Sequence, residues 1–404
     1  MIPYIVYIVM TLILSIIYDG REDSRQKCVW YGLTCLYLIL LAGLRNGVGG
    51  DTQFYMLEFD KVPIYPSDYK NYIVDNFEMH SFMPGWSILN ILCKHFFDSF
   101  YAVQIIEAII VNSCIFFIFH KYTSRIFLCA LLFGVTGYFF IYNTEVMREA
   151  IAVSIGSIGM YQYLNGKKLF FYVTILIGLT FHISVLILII FPLSKLIHSI
   201  SIKSLISALS ISFIIWLSST ILLTLIFKHF SGESYLIAKI TTYSDVMSNI
   251  WGFLESALRY LVAQAGILLF AQFDPKESDQ MRSHYSNIVG FYLMIATIVC
   301  AIPGTYRFIN YTAIFSIVLV ADFIGSLKYQ LTNMALSKCI ILLIFVLYSG
   351  KYYFKVWPNS QRHNYEFFVP YTSIVDQNVD TDYRYYLWFD AVHREKNQKN
   401  SRGL

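Results

Sequence analysis

The sequence has few charged residues for its length. Only 14% of its 404 residues are Asp, Glu, Lys or Arg, whereas a typical soluble domain has about 25%. The formal net charge is +4, and the basic residues are too scattered to indicate a nucleic acid or another polyanion as partner. This composition excludes a soluble enzyme, a nucleic-acid binder and a disordered chain.

Motifs for metals and nucleotides are also missing. The chain has no H-E-x-x-H, no Walker loop, no Ser-His-Asp pattern and no cluster of Asp, Glu and His. Its seven cysteines form no C-x-x-C pair and lie in or beside apolar runs, which favours buried thiols. The N-terminus lacks the basic region and cleavage site of a signal peptide, so we expect a retained first span. The sequence therefore predicts no metal and no cofactor.

Long apolar runs are what the sequence does have, since 57% of its residues are apolar. A helix needs about 20 mostly apolar residues to cross a bilayer. Runs of this kind occupy 2–18, 28–44, 100–119, 126–142, 147–164, 204–226, 253–272, 286–302 and 308–325. They predict an all-α fold, a polytopic integral membrane helical bundle. Residues 1–350 form its transmembrane domain and residues 351–404 a polar tail.

Two further stretches decide the topology. All the paired Lys and Arg residues of the short connections can face the cytoplasm under two conditions. Residues 169–197 must form two short helices that meet near His182, and residues 83–97 must be a re-entrant or interfacial helix that does not cross. With residues 337–349 as a further span, the prediction is about twelve crossings. In the alternative, residues 83–97 cross the membrane. Two of the basic clusters then lie on the outer side, against the positive-inside rule.

The predicted outer side carries the segments 45–82 and 227–252 and the corner at His182. We place the tail there too, although its mixed charges fit the cytoplasm equally well. The sequence thus predicts a multi-pass membrane protein whose polar residues face the outer side.

Basic residues on the outer side break the expected charge pattern. Arg148 and Arg307 both lie near the start of helices that begin outside, where a positive charge opposes the helix dipole. Each is either an interfacial anchor, paired in the case of Arg148 with Glu145 or Glu149, or an anion-binding group that faces an outer cavity. Arginine binds phosphate bidentately, so a lipid phosphate or pyrophosphate is the expected anion.

Other outer-side candidates are weaker. Arg45 is followed by glycines whose backbone N–H groups could approach a phosphate. Asp51 is predicted to be the N-cap of a short helix. His182 stands alone among apolar residues, either as a buried core residue or as a cavity-lining group. Glu145 and Arg259 complete this group.

Several short motifs occur in an order typical of one family. The segments LRNGVGGDTQFY, MPGWSILN, NTEVMREAIAVSIG and FHISVL together resemble the EpsG/Wzy type of bacterial O-antigen and exopolysaccharide polymerases. The matching positions are Arg45, Asp51, Tyr55, Arg148, Ile151, Ala152, Phe181 and His182. The sequence departs from the family pattern at Met83, where a glutamate is expected before Pro84. The resemblance covers residues 40–320.

The resemblance implies a polymerase that joins undecaprenyl pyrophosphate-linked repeat units, for an exopolysaccharide or the O-antigen of lipopolysaccharide, at the outer face of the inner membrane. Such chemistry needs a base for the attacking hydroxyl and positive charge for the departing pyrophosphate. We assign Arg148 and Arg307 to the pyrophosphates and His182 to the base. The expected substrate-binding residues are Arg45, Asp51, Tyr55, Arg259 and Glu145.

Two other functions stay open. A lipid-linked glycan ligase would share the arginines and use a different acceptor. A polysaccharide flippase or exporter would line a path with charge from both sides, whereas most deep polar residues here gather at the predicted outer end. A membrane O-acyltransferase is less favoured, because no His/Arg cluster lies near the cytoplasmic side. The expected partners are the lipid-linked oligosaccharide and the lipid bilayer, with a chain-length regulator as a candidate protein partner and no nucleic acid.

Overall fold

The computed structural model describes most of the chain as helix. The described residues are 1–21, 24–79, 82–197, 201–229, 250–266, 268, 279–302, 305–326, 364–376 and 383–389. Within them the chain forms no β-strand, and one isolated bridge pairs Arg45 with Ser373. The predicted span 337–349, most of the segment 227–252 and the end of the tail lie outside the described residues.

The α-helices agree well with the apolar runs. They are α1 (Ile2–Tyr18), α2 (Arg25–Gly43), α3 (Gly50–Asp60), α4 (Tyr69–Glu78), α5 (Pro84–Phe97), α6 (Phe100–Tyr122), α7 (Ile126–Val135), α8 (Met147–Leu164), α9 (Lys168–Leu179), α10 (Ile202–His229), α11 (Ile250–Ser256), α12 (Asp279–Ala301) and α13 (Asn310–Ser326). Tighter 3-10 helices cover Pro66–Asp68, Ile183–Leu196, Thr305–Ile309 and Asn364–Phe367, and wider π-helices cover Ile141–Glu145 and Ala257–Gln264.

The predicted number of crossings is confirmed only in part. Among the described residues, four helices are long and apolar enough to cross a membrane: Arg25–Gly43, Phe100–Tyr122, Met281–Ala301 and Thr305–Gly325. Counting one bent pair as a single span raises that number to five. The chain is thus a helical protein with membrane-spanning segments, and the figure of about twelve crossings stays a prediction.

The run 126–142 is not the single helix that its hydropathy predicts. Helix α7 ends at Val135, and Gly137 follows in the left-handed region with a φ of 81°, a conformation that favours glycine. The chain then continues at an angle of 78° through the turn Tyr138–Phe140 into the π-helix Ile141–Glu145. This break carries Glu145 towards α3.

The stretch 169–197 does form two helices that meet at His182, as predicted. Helix α9 ends at Leu179, and His182 is the N-cap of the 3-10 helix Ile183–Leu196, where its side chain accepts a hydrogen bond from the Ser184 N–H. A 3-10 helix rises about 2.0 Å per residue, so this segment is roughly 28 Å long. It therefore extends as far as the longer helix α8, which spans roughly 27 Å at 1.5 Å per residue.

Helix α5 contacts the segment 45–82 near both of its ends. Near its start, the ring of Trp86 lies 5.2 Å from that of Tyr55 on α3. Near its end, His95 Nδ1 lies 3.1 Å from the Tyr69 hydroxyl on α4. These contacts fit a helix that does not cross, and its non-crossing placement stays a prediction.

Basic residues from separate connections meet at one end of the bundle, which we call the basic end. Lys27 Nζ donates to the Ser124 carbonyl at 3.2 Å, and Arg125 forms an ion pair of 3.1 Å with Asp322. Lys195 lies over the Tyr163 ring, with its ammonium 4.8 Å from the centroid. This grouping is what the positive-inside rule requires of a cytoplasmic face.

The opposite end, which we call the loop end, consists of residues 44–52, 141–149 and 305–310. Part of the tail packs here. Asn46 N–H donates to the Thr372 carbonyl at 2.8 Å, and Gly49 N–H donates to the Phe367 carbonyl at 3.0 Å. Arg384 is fully buried and donates to the Asn46 carbonyl at 3.2 Å and to the Pro370 carbonyl. We call residues 364–376 and 383–389 the C-terminal clasp.

Central helix α8 connects the two ends. Residues 149–154 of this helix are all buried, and a helix buried on every side lies within the core of its bundle. Its first turn, with Arg148 and Glu149, is therefore held rigidly at the loop end.

Positions 65 and 167 should be reached from opposite faces of the membrane. Tyr65 is 70% exposed near the loop end, and Lys167 is exposed where α8 ends. In a cysteine-free background, we expect an impermeant thiol reagent on intact cells to label Tyr65→Cys and to miss Lys167→Cys, because the basic end should be cytoplasmic. Permeabilised cells, the control, should label both. The reverse pattern would contradict the orientation, and labelling of both in intact cells would contradict the separation of the two ends.

The clasp should be needed for order in residues 46–49. Arg384→Ala removes a buried donor from the Asn46 and Pro370 carbonyls, which should cost about 1–3 kcal/mol for each acceptor that stays buried. Hydrogen exchange at the Asn46 and Gly49 amides should then become faster. Tyr386→Ala is the matched control, because Tyr386 is 64% exposed on the same helical turn. Unchanged exchange in Arg384→Ala would show that the clasp does not hold these residues.

Candidate active site

The site begins with the way in which α3 starts. Gly49 precedes the helix with a φ of 106°, and a Cβ atom there would lie 2.6 Å from Thr144 Cβ. Glycine is therefore required by both the backbone and the close approach. The Glu145 carboxylate accepts the Gly50 N–H at 2.7 Å and the Asp51 N–H at 3.3 Å. A carboxylate from another element thus caps α3 and favours its positive N-terminal dipole end.

This arrangement corrects the predicted role of Asp51. The N-cap position belongs to Gly49, and Asp51 lies within the first turn of α3. Because Glu145 supplies the cap, the Asp51 carboxylate does not bind the helix N-terminus. It accepts no hydrogen bond from any described residue, and its side chain is exposed.

Asp51 and Tyr55 lie four residues apart, so they share one face of α3. Arg148 faces them, and its Nε donates to the Tyr55 hydroxyl at 3.4 Å. Burial raises the pKa of the Asp51 carboxyl, and the positive charges of Arg307 and Arg148 oppose that rise. The Asp51 side chain is nevertheless exposed, so its carboxyl lies at the protein surface beside these residues. The two arginines are its charged neighbours there.

Aromatic rings hold Arg148. Its guanidinium lies 4.7 Å from the Phe82 ring centroid and 5.6 Å from that of Tyr55, within the range of cation–π attraction. Pairing with Glu145 or Glu149 was one predicted alternative. Glu145 binds the start of α3, whereas the charge of Arg148 does act on the Glu149 carboxyl. Cation–π contacts orient the guanidinium without adding negative charge.

Arg307 is held by a carboxylate that the sequence analysis did not select. Its Nη1 lies 3.5 Å from Glu149 Oε2, and the Glu149 side chain is only 1% exposed while that of Arg307 is 39% exposed. Asn310 Nδ2 donates to Glu149 Oε1 at 2.9 Å, and the Asn310 carbonyl accepts the Tyr142 hydroxyl at 2.7 Å. Two features of the sequence could have indicated these contacts. Glu149 adjoins Arg148 in the sequence, and Asn310 follows Arg307 by three residues.

Arg45 takes a structural position. It is 1% exposed, and its guanidinium donates to the Ala42 and Val48 carbonyls, to Thr52 Oγ1 and to Met147 Sδ. The predicted phosphate contact of Arg45 stays a prediction that this geometry does not favour. The glycine amides after it are also used inside the protein, since Gly49 N–H binds the clasp and Gly50 N–H binds Glu145.

His182 is tied to its own helix. Its Nδ1 accepts the Ser184 N–H at 3.2 Å and lies 2.6 Å from Ser184 Oγ, which in turn lies 2.9 Å from the Tyr311 hydroxyl. In the neutral ring the hydrogen therefore belongs on Nε2. Nδ1 is thus engaged in the cap of the 3-10 helix. The role of His182 as base stays a prediction, and this geometry opposes it.

Arg259, also predicted to bind substrate, lies on the π-helix Ala257–Gln264 with its guanidinium 5.2 Å from the Tyr260 ring centroid. No three His, Cys, Asp or Glu side chains within the described ranges are grouped as a metal site would require. The chemistry available is thus that of two arginines and an exposed carboxyl. Guanidinium groups bind phosphate oxygens, and a carboxylate can accept a proton.

Comparison with known proteins identifies the family of the chain. No protein of curated function and no solved structure matches the chain. The pattern of the EpsG family matches residues 28–373, which include both arginines, Asp51, Glu145 and Glu149. The resemblance noted in the sequence is confirmed, and the chain belongs to the EpsG family.

Proposed function

We propose that this chain is a polysaccharide polymerase that joins undecaprenyl pyrophosphate-linked repeat units at the outer face of the bacterial inner membrane. The observation that carries the proposal is the placement of Arg148 and Arg307 near the exposed carboxyl of Asp51 at the loop end. Family membership gives the class, a polymerase-type membrane protein of polysaccharide synthesis. The finer assignments of donor, acceptor and orientation belong to this proposal.

The donor in this reaction is the growing glycan on its pyrophosphate carrier. The bond from the anomeric carbon to pyrophosphate breaks while a hydroxyl of the next repeat unit attacks that carbon. Negative charge develops on the departing pyrophosphate, and fixed positive groups lower the barrier by stabilising it. Arg148 and Arg307 are those groups, both set at the starts of rigid helices.

The position of this site at the loop end suits a lipid-linked substrate. The carrier's polyprenyl chain stays in the bilayer, so its pyrophosphate reaches only a site at the membrane surface. The loop end would be such a surface. The basic residues at the opposite end would face the cytoplasm and set the orientation of the protein. A chain-length regulator is the protein partner that this activity would require in order to set polymer length.

Replacing Arg148 should distinguish phosphate binding from simple anchoring. Lysine keeps the charge but loses the bidentate fork, so Arg148→Lys should form little polymer and Arg148→Ala almost none. Losing one charge-assisted contact to a departing pyrophosphate should cost roughly 3–4 kcal/mol, about 10²–10³ in rate, as for an oxyanion donor. Glycan ladders at equal amounts of membrane protein measure the effect.

Arg25→Ala provides the matched control for Arg148, because Arg25 is an exposed arginine in the first turn of α2 at the basic end. It should leave the ladder unchanged. Long chains of near-normal abundance from Arg148→Ala would remove Arg148 from the site.

Deleting the gene should separate a polymerase from a transporter. Without the polymerase, single repeat units should still reach the outer surface, because transfer of one unit needs no chain growth. Electrophoresis of the surface glycan should then show one unit per carrier or core in place of a ladder. A complete absence of surface glycan would favour a flippase, and a full-length glycan left on its lipid carrier would favour a ligase.

A further inference from the structure

Neither helix capping nor a hydrogen bond to another described residue explains the position of the Asp51 carboxyl. It lies in the first turn of α3, one residue past the helix start, where a negative charge favours the helix dipole. Here Glu145 caps the helix instead, through 2.7 and 3.3 Å contacts to two backbone amides. The protein thus uses one carboxylate to hold the helix and leaves the adjacent one exposed.

The surroundings of Asp51 match those of a group that meets the reacting atoms. Tyr55, on the same face of α3, is hydrogen-bonded to Arg148 at 3.4 Å, which brings the Asp51 face of the helix against the first turn of α8. Arg307 lies 3.5 Å from Glu149, and its positive charge also acts on the Asp51 carboxyl. The charged groups around Asp51 are therefore Arg148 on α8, Arg307 on its 3-10 helix, and the carboxyls of Glu145 and Glu149.

We propose that Asp51 is the catalytic base of the transfer reaction, accepting the proton of the acceptor sugar's hydroxyl. This inference rests on the proposed polymerase function and names the residue that activates its acceptor. The acceptor oxygen forms a bond to the anomeric carbon, and its proton goes to the Asp51 carboxylate. The bond from that carbon to pyrophosphate breaks, and its electron pair leaves with the pyrophosphate, beside Arg148 and Arg307. Asp51 then releases the proton to water.

The structure favours Asp51 over His182 for this task. The base must present an accessible lone pair within hydrogen-bond reach of the acceptor hydroxyl. Asp51 is exposed, and its oxygens accept no hydrogen bond from any residue within the described ranges. His182, in contrast, uses Nδ1 to cap the 3-10 helix.

An anionic nucleophile tests the proposal, because azide needs no base. Lipid-linked single repeat units extracted from the deletion strain serve as donor and acceptor for the purified protein. With azide present, attack at the anomeric carbon gives a glycosyl azide and the free carrier pyrophosphate. Both products are measured by mass spectrometry, beside polymer formation from the same units.

Asp51→Asn should lose polymer formation by about 10²–10⁴, the usual contribution of a general base. It should still form glycosyl azide at a rate close to that of the unchanged protein, because the arginines that hold pyrophosphate remain. Asp51→Glu, which keeps a carboxylate, should recover part of the polymer formation. Arg148→Ala should lose both reactions.

Each other outcome overturns the proposal. Normal polymer formation by Asp51→Asn excludes Asp51 as base, and loss of the azide reaction in both Asp51→Asn and Asp51→Glu makes it a structural or donor-binding residue. His182→Asn compares the two candidate bases, since asparagine can keep the helix cap. If His182→Asn loses polymer formation and retains the azide reaction, while Asp51→Asn behaves normally, His182 is the base. If the unchanged protein forms no polymer from these units, the proposed function itself fails.

Discussion

The loop end depends on the contact between Glu145 and the start of α3. A carboxylate inside a membrane protein is costly unless it is well bonded, and here two backbone amides of α3 receive it. The contact closes only because the chain breaks at Gly137 and continues as a π-helix, which turns Glu145 towards Gly50. It also needs Gly49, where any side chain would strike Thr144. Without this contact, neither Asp51 nor Tyr55 would lie beside α8.

A second layer of buried polar contacts supports the same residues from behind. Arg45 ties the end of α2 to Thr52 and Met147, so it connects α3 with the first residue of α8. The C-terminal clasp covers this loop, and buried Arg384 bonds to its backbone. Arg384 lies beyond residue 373, where the family match ends. The frame of the site is therefore built partly from residues near the end of the chain.

Much of the fold could be predicted from the sequence, because apolar runs and basic connections reflect the bilayer directly. The run 147–164 coincides with α8, and the corner at His182 follows from charge placement alone. The site was harder to predict. Arg148 and Arg307 attract attention because charge opposes the helix dipole, but hydropathy reveals neither the break at Gly137 nor the clasp. The predicted N-cap at Asp51 is wrong: local sequence favours a cap there, whereas the carboxylate that caps the helix is Glu145, 94 residues away.

The charges of Asp51, Arg148 and Arg307 suggest why the proposed base and the proposed anion-binding groups lie near one another. In the resting state the negative charge of Asp51 partly offsets Arg148 and Arg307, which limits the cost of holding two cations near the membrane. When Asp51 accepts the acceptor's proton, that offset disappears. The protein groups at the site then carry one more positive charge at the moment when the pyrophosphate gains negative charge. Proton transfer to Asp51 would thus strengthen the stabilisation of the leaving group in the transition state rather than in the bound donor, and that difference is what accelerates a reaction.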